Sequence, residues 1–342
     1  MFSSRRFAVV CVAFLLVSML ALAGCAVPGA VRPGVVHGPY KDLSIAMDRD
    51  THVIATRVDG AAVPVVEVLP AGSTLSWAFA TGECGRETLG GFDAQKVADA
   101  NVAAFNRVGI GYIVSTGGEG GVFTCGSDAG MEAFIARYAS PRFVGIDFDI
   151  EAQQTPGIVD ALVRRAVAAQ RRHPALRFSF TLATLAAADD SRNGLNAQGR
   201  SVLQAIRAHG LTDYTINLMV MDYGPPTPAN CVVAPGGAAC DMGASAIRAA
   251  DNLHALHGVP FEQIELTAMI GVNDVAANDF TLADAERLAR HARERGLAGV
   301  HFWSLDRDTP CPRPAQGASA TCSGLETVPA LAYLRVFERG SR

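Results

Sequence analysis

The chain has 342 residues, 49% of them hydrophobic and 18% charged, with a formal net charge of −4. That composition suits a globular protein with a large core and excludes a disordered or highly charged binder. No basic stripe with interleaved aromatics occurs, so nucleic acid is not an expected partner.

In chain order, residues 1–24 read as a signal peptide: Arg5 and Arg6 precede an almost wholly apolar run over 7–23, and small residues lead into Cys25. The ending Leu22-Ala23-Gly24-Cys25 resembles the bacterial lipobox. That resemblance implies removal of the preceding segment and lipidation of Cys25, which holds a protein on a membrane without a spanning helix. Ala26 stands where an inner-membrane retention signal puts Asp, which favours the outer membrane of a Gram-negative cell. Residues 25–38, rich in Pro, Gly and Val, read as a lipidated tether, leaving 39–342 as the folded body.

Strand-like and helix-like segments then alternate. Strands are expected at Leu43 to Met47, Thr74 to Phe79, Gly111 to Ser115, Val144 to Glu151, Arg177 to Leu182, Thr215 to Met221, Glu265 to Ile270 and Val300 to Trp303. Helical patterns run over Ala94 to Val108, Gly157 to Arg172, Ala197 to His209, Ala244 to His257 and Leu282 to Arg295. The last opens on a Thr281 N-cap with Asp284 in its first turn and ends at Gly296. Such alternation argues for parallel strands joined by crossovers, and eight of them suit a single-domain closed (β/α)8 barrel. The irregular segment 48–73 has room for an extra hairpin.

Six cysteines lie beyond the leader: Cys84, Cys125, Cys231, Cys240, Cys311 and Cys322. In an exported chain they suggest disulfides, and proximity favours Cys231 with Cys240 and Cys311 with Cys322, leaving Cys84 with Cys125. No CxxC, HxH or HExxH arrangement points to a metal, and no GxSxG elbow points to a serine hydrolase.

The most informative stretch is "FVGIDFDIEA", residues 143–152, where Asp147, Asp149 and Glu151 alternate with Ile146, Phe148 and Ile150. A strand has period two, so the acids share one face, roughly 7 Å apart. In a barrel that face points inward, with the last acid at the C-terminal rim where active sites of this fold lie. Clustered carboxylates raise one another's pKa, so the outermost can stay protonated near neutral pH and serve as a general acid.

"GIDFDIE" resembles the Asp-x-x-Asp-x-Asp-x-Glu signature on the fourth strand of family 18 glycoside hydrolases. Further segments follow in the family's order: "YIVSTGG" at 112–118 resembles its Ser-x-Gly-Gly element, "INLMVMDYG" at 216–224 its sixth strand, "MIGVND" at 269–274 its seventh, and "GVHFWSLDRDTPC" at 299–311 the eighth strand of bacterial chitinases. One departure is Val144, which occupies the place of the signature's first Asp.

The resemblance implies retaining hydrolysis of β-1,4-linked N-acetylglucosamine in chitin or its oligomers, with the substrate's own acetamido oxygen as nucleophile. Glu151 then protonates the leaving oxygen and later activates water, Asp149 holds the acetamido N–H, and Asp147 supports Asp149. Tyr223 is expected to donate to the acetamido oxygen, Asp222 to partner the acid, and Met219 to border the sugar, with Trp303 as its floor. Ser115, Gly117 and Gly118 are expected to shape the barrel mouth. No cofactor is implied, and the chain is expected to act as a monomer on an N-acetylglucosamine polysaccharide. Two alternatives stay open: an endo-β-N-acetylglucosaminidase on glycans or peptidoglycan, and a non-catalytic sugar-binding barrel, against which the presence of Glu151 argues.

Overall fold

The computed structural model describes residues 35–151, 153–275, 277–313 and 316–340. The expected signal peptide, most of the expected tether and Cys25 lie outside the described residues. Eight parallel strands close the barrel: β1 Val36–Asp42, β2 Thr74–Glu83, β3 Gly111–Gly117, β4 Phe143–Ile150, β5 Arg177–Ala183, β6 Thr215–Met219, β7 Ile264–Met269 and β8 Gly299–Trp303. Each pairs with its sequence neighbours, and β1 closes the ring by pairing with both β8 and β2. Around them pack α1 Ala94–Val108, α2 Asp128–Tyr138, α3 Pro156–Arg172, α4 Ala197–His209, α5 Met242–His257, α6 Leu282–Arg295 and α7 Ala332–Gly340.

Seven strands fall where the alternation puts them; the first does not. Leu43 to Met47 form a turn, and the strand is Val36–Asp42, so Val36, His37 and Gly38 belong to the barrel rather than to a tether. Gly38 and Pro39 disguise the segment, yet the glycine is required: a Cβ there would lie 1.7 Å from the carbonyl oxygen of Thr74. The crossover from β1 to β2 holds an antiparallel hairpin, Ala55–Val58 with Ala61–Pro64, and a single helical turn at Val65–Val68. The irregular segment with room for an extra hairpin holds one.

The shell follows from the strand period. Ile146, Phe148 and Ile150 are buried against the helices, with Phe148 tilted on Phe180 at 5.3 Å between ring centroids and within 6.5 Å of Phe123. Helix ends are set by caps: Asp93 accepts from the N–H groups of Gln95 and Lys96, and Thr281 with Asp284 forms a full capping box. Gly296 ends α6 in the left-handed conformation, φ +69°.

The disulfides are Cys84–Cys125, Cys231–Cys240 and Cys311–Cys322, the pairing that proximity favoured. Each closes a loop leaving the C-terminal end of a strand: β2 to the loop after β3, the β6–α5 loop, and the loop after β8. All three brace the face on which barrels of this type carry their sites. No helix among the described residues is long and apolar enough to cross a membrane.

Candidate active site

A cavity of about 920 Å³ opens at that face, with Asp149, Glu151, Met219, Asp222 and Trp303 in its wall. The acid row occupies three environments. Asp147, deepest and 1% exposed, is met by four hydroxyls: Ser179 and Thr181 donate to Oδ1 at 2.8 Å each, Ser115 and Tyr40 to Oδ2 at 2.7 and 3.0 Å. Four charge-assisted bonds compensate a carboxylate buried there. Asn217 extends the network, its amide donating to Tyr40 Oη at 2.9 Å and to Thr181 Oγ1 at 2.8 Å, while Thr267 donates to its carbonyl at 2.9 Å.

Asp149, one step outward, is 4% exposed and faces the cavity with its Oδ1 unpaired among the described residues. Burial, then the charges of Glu151 and Asp147, push its pKa well above the carboxylate range. Glu151 is half-buried at the end of the row, and burial together with neighbouring Glu119 raises it to about 7. Its backbone is pinned: the carbonyl of Glu151 accepts from Gln198 Nε2 at 2.7 Å and from the Gln154 N–H at 2.9 Å. Gln154 Nε2 in turn donates to the carbonyl of Asp149. Gly117, at φ +87°, makes that clamp possible, because a Cβ would stand 2.4 Å from both the Asp149 oxygen and Gln154 Nε2.

The floor is aromatic. Trp303 stacks on Phe79 with centroids 5.5 Å apart and an interplanar angle of 21°, and tilts against Tyr40 at 6.3 Å. Beyond Trp303, buried Asp306 pairs with Lys41 of β1 at 2.8 Å, tying the end of β8 to the end of β1. Burial pushes the Asp306 carboxyl up to about 6 and the Lys41 amine down, with each charge opposing the other's shift.

On β6 the expected roles need one correction. Met219 and Asp222 line the cavity, but Tyr223 is 1% exposed and outside the cavity wall; Met221 stands there instead. Period two from Met219 brings Met221 to the same face. The chain then turns at Asp222, φ +49°, whose Oδ1 accepts from the Val275 N–H at 2.9 Å, and Tyr223 passes into the core. Burial, with Asp274 adding, raises the Asp222 pKa. Nor is Ser115 only a mouth residue, since it bonds Asp147 directly. Val144 lies half-buried against Gly111 and is not in the cavity wall, so its lack of a carboxylate leaves the acid row intact.

Sequence reasoning passed over Tyr40, Ser179, Thr181, Asn217, Gln154 and Phe79. Ser179 and Thr181 carried a legible signal, two hydroxyls at period two in the strand beside the acids. Beneath Asp147 the barrel is closed by Glu265, which forms a buried ion pair with Arg177 and a hydrogen bond with His301 Nε2 at 3.0 Å. Burial, then Arg177, lowers His301 to about 3, so it is neutral there. Among the described residues no group of three or more His, Cys, Asp or Glu could hold a metal ion.

Against known proteins, the catalytic domain of a hyperthermophilic chitinase from Pyrococcus furiosus superposes with a TM-score of 0.68 at 26% identity, over 90% of this chain and 95% of that one. The chain has the fold of a chitinase catalytic domain. In sequence it is 35% identical over 126 residues to a probable bifunctional chitinase/lysozyme of Escherichia coli (strain K12), a match covering 34% of this chain and 14% of that protein. Endochitinase 11 of Metarhizium anisopliae is 34% identical over 126 residues, again 34% of this chain and 24% of the relative. The chain thus matches under a quarter of either relative's length. No protein-family model matches it.

Proposed function

We propose that this chain is a glycoside hydrolase that cleaves β-1,4-linked N-acetylglucosamine in chitin or its oligomers with retention of configuration. One observation carries the reading: a carboxyl raised to about 7 stands at the mouth of the cavity, directly outward of a second whose buried oxygen is unpaired. A pKa near neutrality is what a group needs to give a proton and later take one back. The chitinase fold and the named relatives support the substrate class.

In this mechanism the glycosidic oxygen takes the Glu151 proton as its bond to the anomeric carbon breaks. The 2-acetamido oxygen closes onto that carbon, and the amide N–H is held by Asp149 Oδ1. Water then attacks the anomeric carbon, gives its proton to Glu151, and the acetamido oxygen leaves. No second protein carboxylate has to act as nucleophile, in keeping with substrate assistance. Asp147, fixed by four hydroxyls, places its charge beneath Asp149 and favours protonation further out. Trp303 and Phe79 supply the flat apolar surface for a pyranose face, while Met219, Met221 and Asp222 close the side. The test is cleavage of N-acetylglucosamine oligomers by the parent chain and by Glu151→Gln: equal rates would remove Glu151 from the role of acid.

We also propose that the chain is exported, lipid-anchored through Cys25 and held at the outer membrane as a monomer. Three disulfides suit an oxidising compartment. Metabolic labelling with a clickable fatty acid is expected to mark the mature protein and not a Cys25→Ser variant; an unlabelled parent would end that proposal.

A further inference from the structure

The acid row on β4 has a companion column on β3. The two strands are parallel and in register, with Ser115 beside Asp147 and Gly117 beside Asp149; strands paired in this way lie about 4.8 Å apart. The next step of period two in each column is Glu119 and Glu151, and both line the cavity. β3 ends at Gly117, where two left-handed glycines, Gly117 at φ +87° and Gly118 at φ +79°, lead into a tight turn. The Gly118 N–H donates to the Asp149 carbonyl at 3.3 Å, which keeps the chain against β4, and the Gly121 N–H donates to the Gly118 carbonyl at 3.2 Å, closing the turn over Glu119.

That turn is packed in place. A Cβ on Gly118 would lie 2.9 Å from the Phe79 ring, and one on Gly121 would lie 2.4 Å from Thr81 Cγ2. Just beyond it the Gly82 N–H donates to the Val122 carbonyl at 2.8 Å. The backbone at Glu119 is thus fixed on both sides, while its side chain is exposed. Among the described residues nothing hydrogen-bonds or pairs with its carboxylate.

The other titratable groups of the wall reach Glu151 less. Asp222 on β6, Asp274 after β7, and Arg192 and Arg200 from the β5–α4 connection and first turn of α4 are not among the charges acting on it; Glu119 is. Asp149, inward on the same strand, is itself pushed well above the carboxylate range and is protonated near neutrality. Tyr40 from β1, raised well above the ordinary tyrosine value by burial, is neutral, and Gln153, Gln154 and Thr155, which lead into α3, carry no charge.

We propose that Glu119 is a positioning residue that acts through Glu151: an unpaired carboxylate fixed beside the acid, it keeps the proton there until the glycosidic oxygen takes it. The same charge then favours its return from the attacking water. This rests on the hydrolase reading above. Burial and Glu119 both hold the proton on Glu151, but they differ in one respect: the field of an exposed carboxylate is screened by salt, and burial is not. Charges roughly 7 Å apart at an effective dielectric of about 40 displace one another's titration by about one pH unit.

The experiment is kcat/KM against pH on an N-acetylglucosamine hexamer, for the parent, Glu119→Gln and Glu119→Asp, at about 10 mM and about 1 M salt, where Debye lengths are about 30 and 3 Å. At low salt the alkaline limb of Glu119→Gln is expected about one pH unit below that of the parent, with the acid plateau little changed and Glu119→Asp in between. High salt should bring the parent's limb toward that of Glu119→Gln and leave the latter where it is. Coincident limbs at low salt, a parent limb indifferent to salt, or a loss of rate at every pH with the limb in place would overturn the role. Carboxyl 13C NMR of Glu151 in the full chain reads the same displacement without turnover. A parent that cleaves nothing would therefore refute the hydrolase reading while Glu119 is still tested.

Discussion

Glu151→Gln separates the catalytic cost of the acid from its structural cost. In the folded chain the carboxyl is raised to about 7, against an ordinary glutamate value of 4.5. Its folded pKa exceeds its unfolded one, so the favourable contribution is fully present below about pH 4.5 and is lost as pH rises through 7. At 1.36 kcal/mol per pKa unit the loss approaches about 3 kcal/mol by pH 8, and solvent screening at this half-buried site trims it. Gln is isosteric and does not titrate. It also relieves Asp149, for which Glu151 is the largest charge opposing ionisation. The variant should therefore match the parent near pH 4.5 and exceed it by up to about 3 kcal/mol at pH 8. For a domain of this size that is about 5 °C in Tm. Thermal scans across pH 4.5 to 8 measure it. Parallel curves for the two proteins would refute the claim that burial and Glu119 hold this carboxyl near neutrality.

The same titration bears on rate. As a general acid Glu151 has to be protonated, so kcat/KM for the parent should fall as pH rises through about 7; a flat profile to pH 9 would assign the acid elsewhere. Gly117→Ala puts a methyl against the Asp149 carbonyl and Gln154, and because φ is +87° it adds backbone strain. A loss of about 2 kcal/mol by chemical denaturation, with a drop in kcat, is expected. Trp303→Ala removes the floor stacked on Phe79, and should raise KM by about tenfold or more in oligomer kinetics while leaving the pH limb in place. Lys41→Met strands the buried Asp306 carboxyl, costing about 3 kcal/mol or more in unfolding measurements near pH 8 and less below pH 6, where that carboxyl is protonated.

Which parts of the molecule the sequence disclosed follows from where physical signals are local. Seven barrel strands were visible because each is a short apolar run bounded by turns, and α1, α4 and α6 because an amphipathic face runs between a clear cap and a stop. β1 was hidden by Gly38 and Pro39, which read as breakers although the glycine serves a close backbone approach to Thr74. Misplacing it also concealed Tyr40. α2 was lost behind Gly130, whose missing Cβ makes room for the Sγ of Cys84 at what would be 2.6 Å. The acids were legible because period two is a property of one strand. Their partners were less so: Ser179 and Thr181 repeat the period-two signal on the neighbouring strand, but Ser115, Asn217 and Tyr40 come from three further strands and meet the network only when the barrel closes. Tyr223 failed for a related reason, since one left-handed residue, Asp222, breaks the alternation that would have carried it to the cavity.

The most direct test of the account is the anomeric form of the first product released from an N-acetylglucosamine oligomer, followed by proton NMR before mutarotation. Attack by the substrate's acetamido oxygen followed by water inverts the anomeric carbon twice, so the β-anomer should appear first. An oligomer whose acetyl groups have been removed should remain uncut. Initial release of the α-anomer, or cleavage of the deacetylated chain at a comparable rate, would contradict the mechanism built on Glu151 and Asp149.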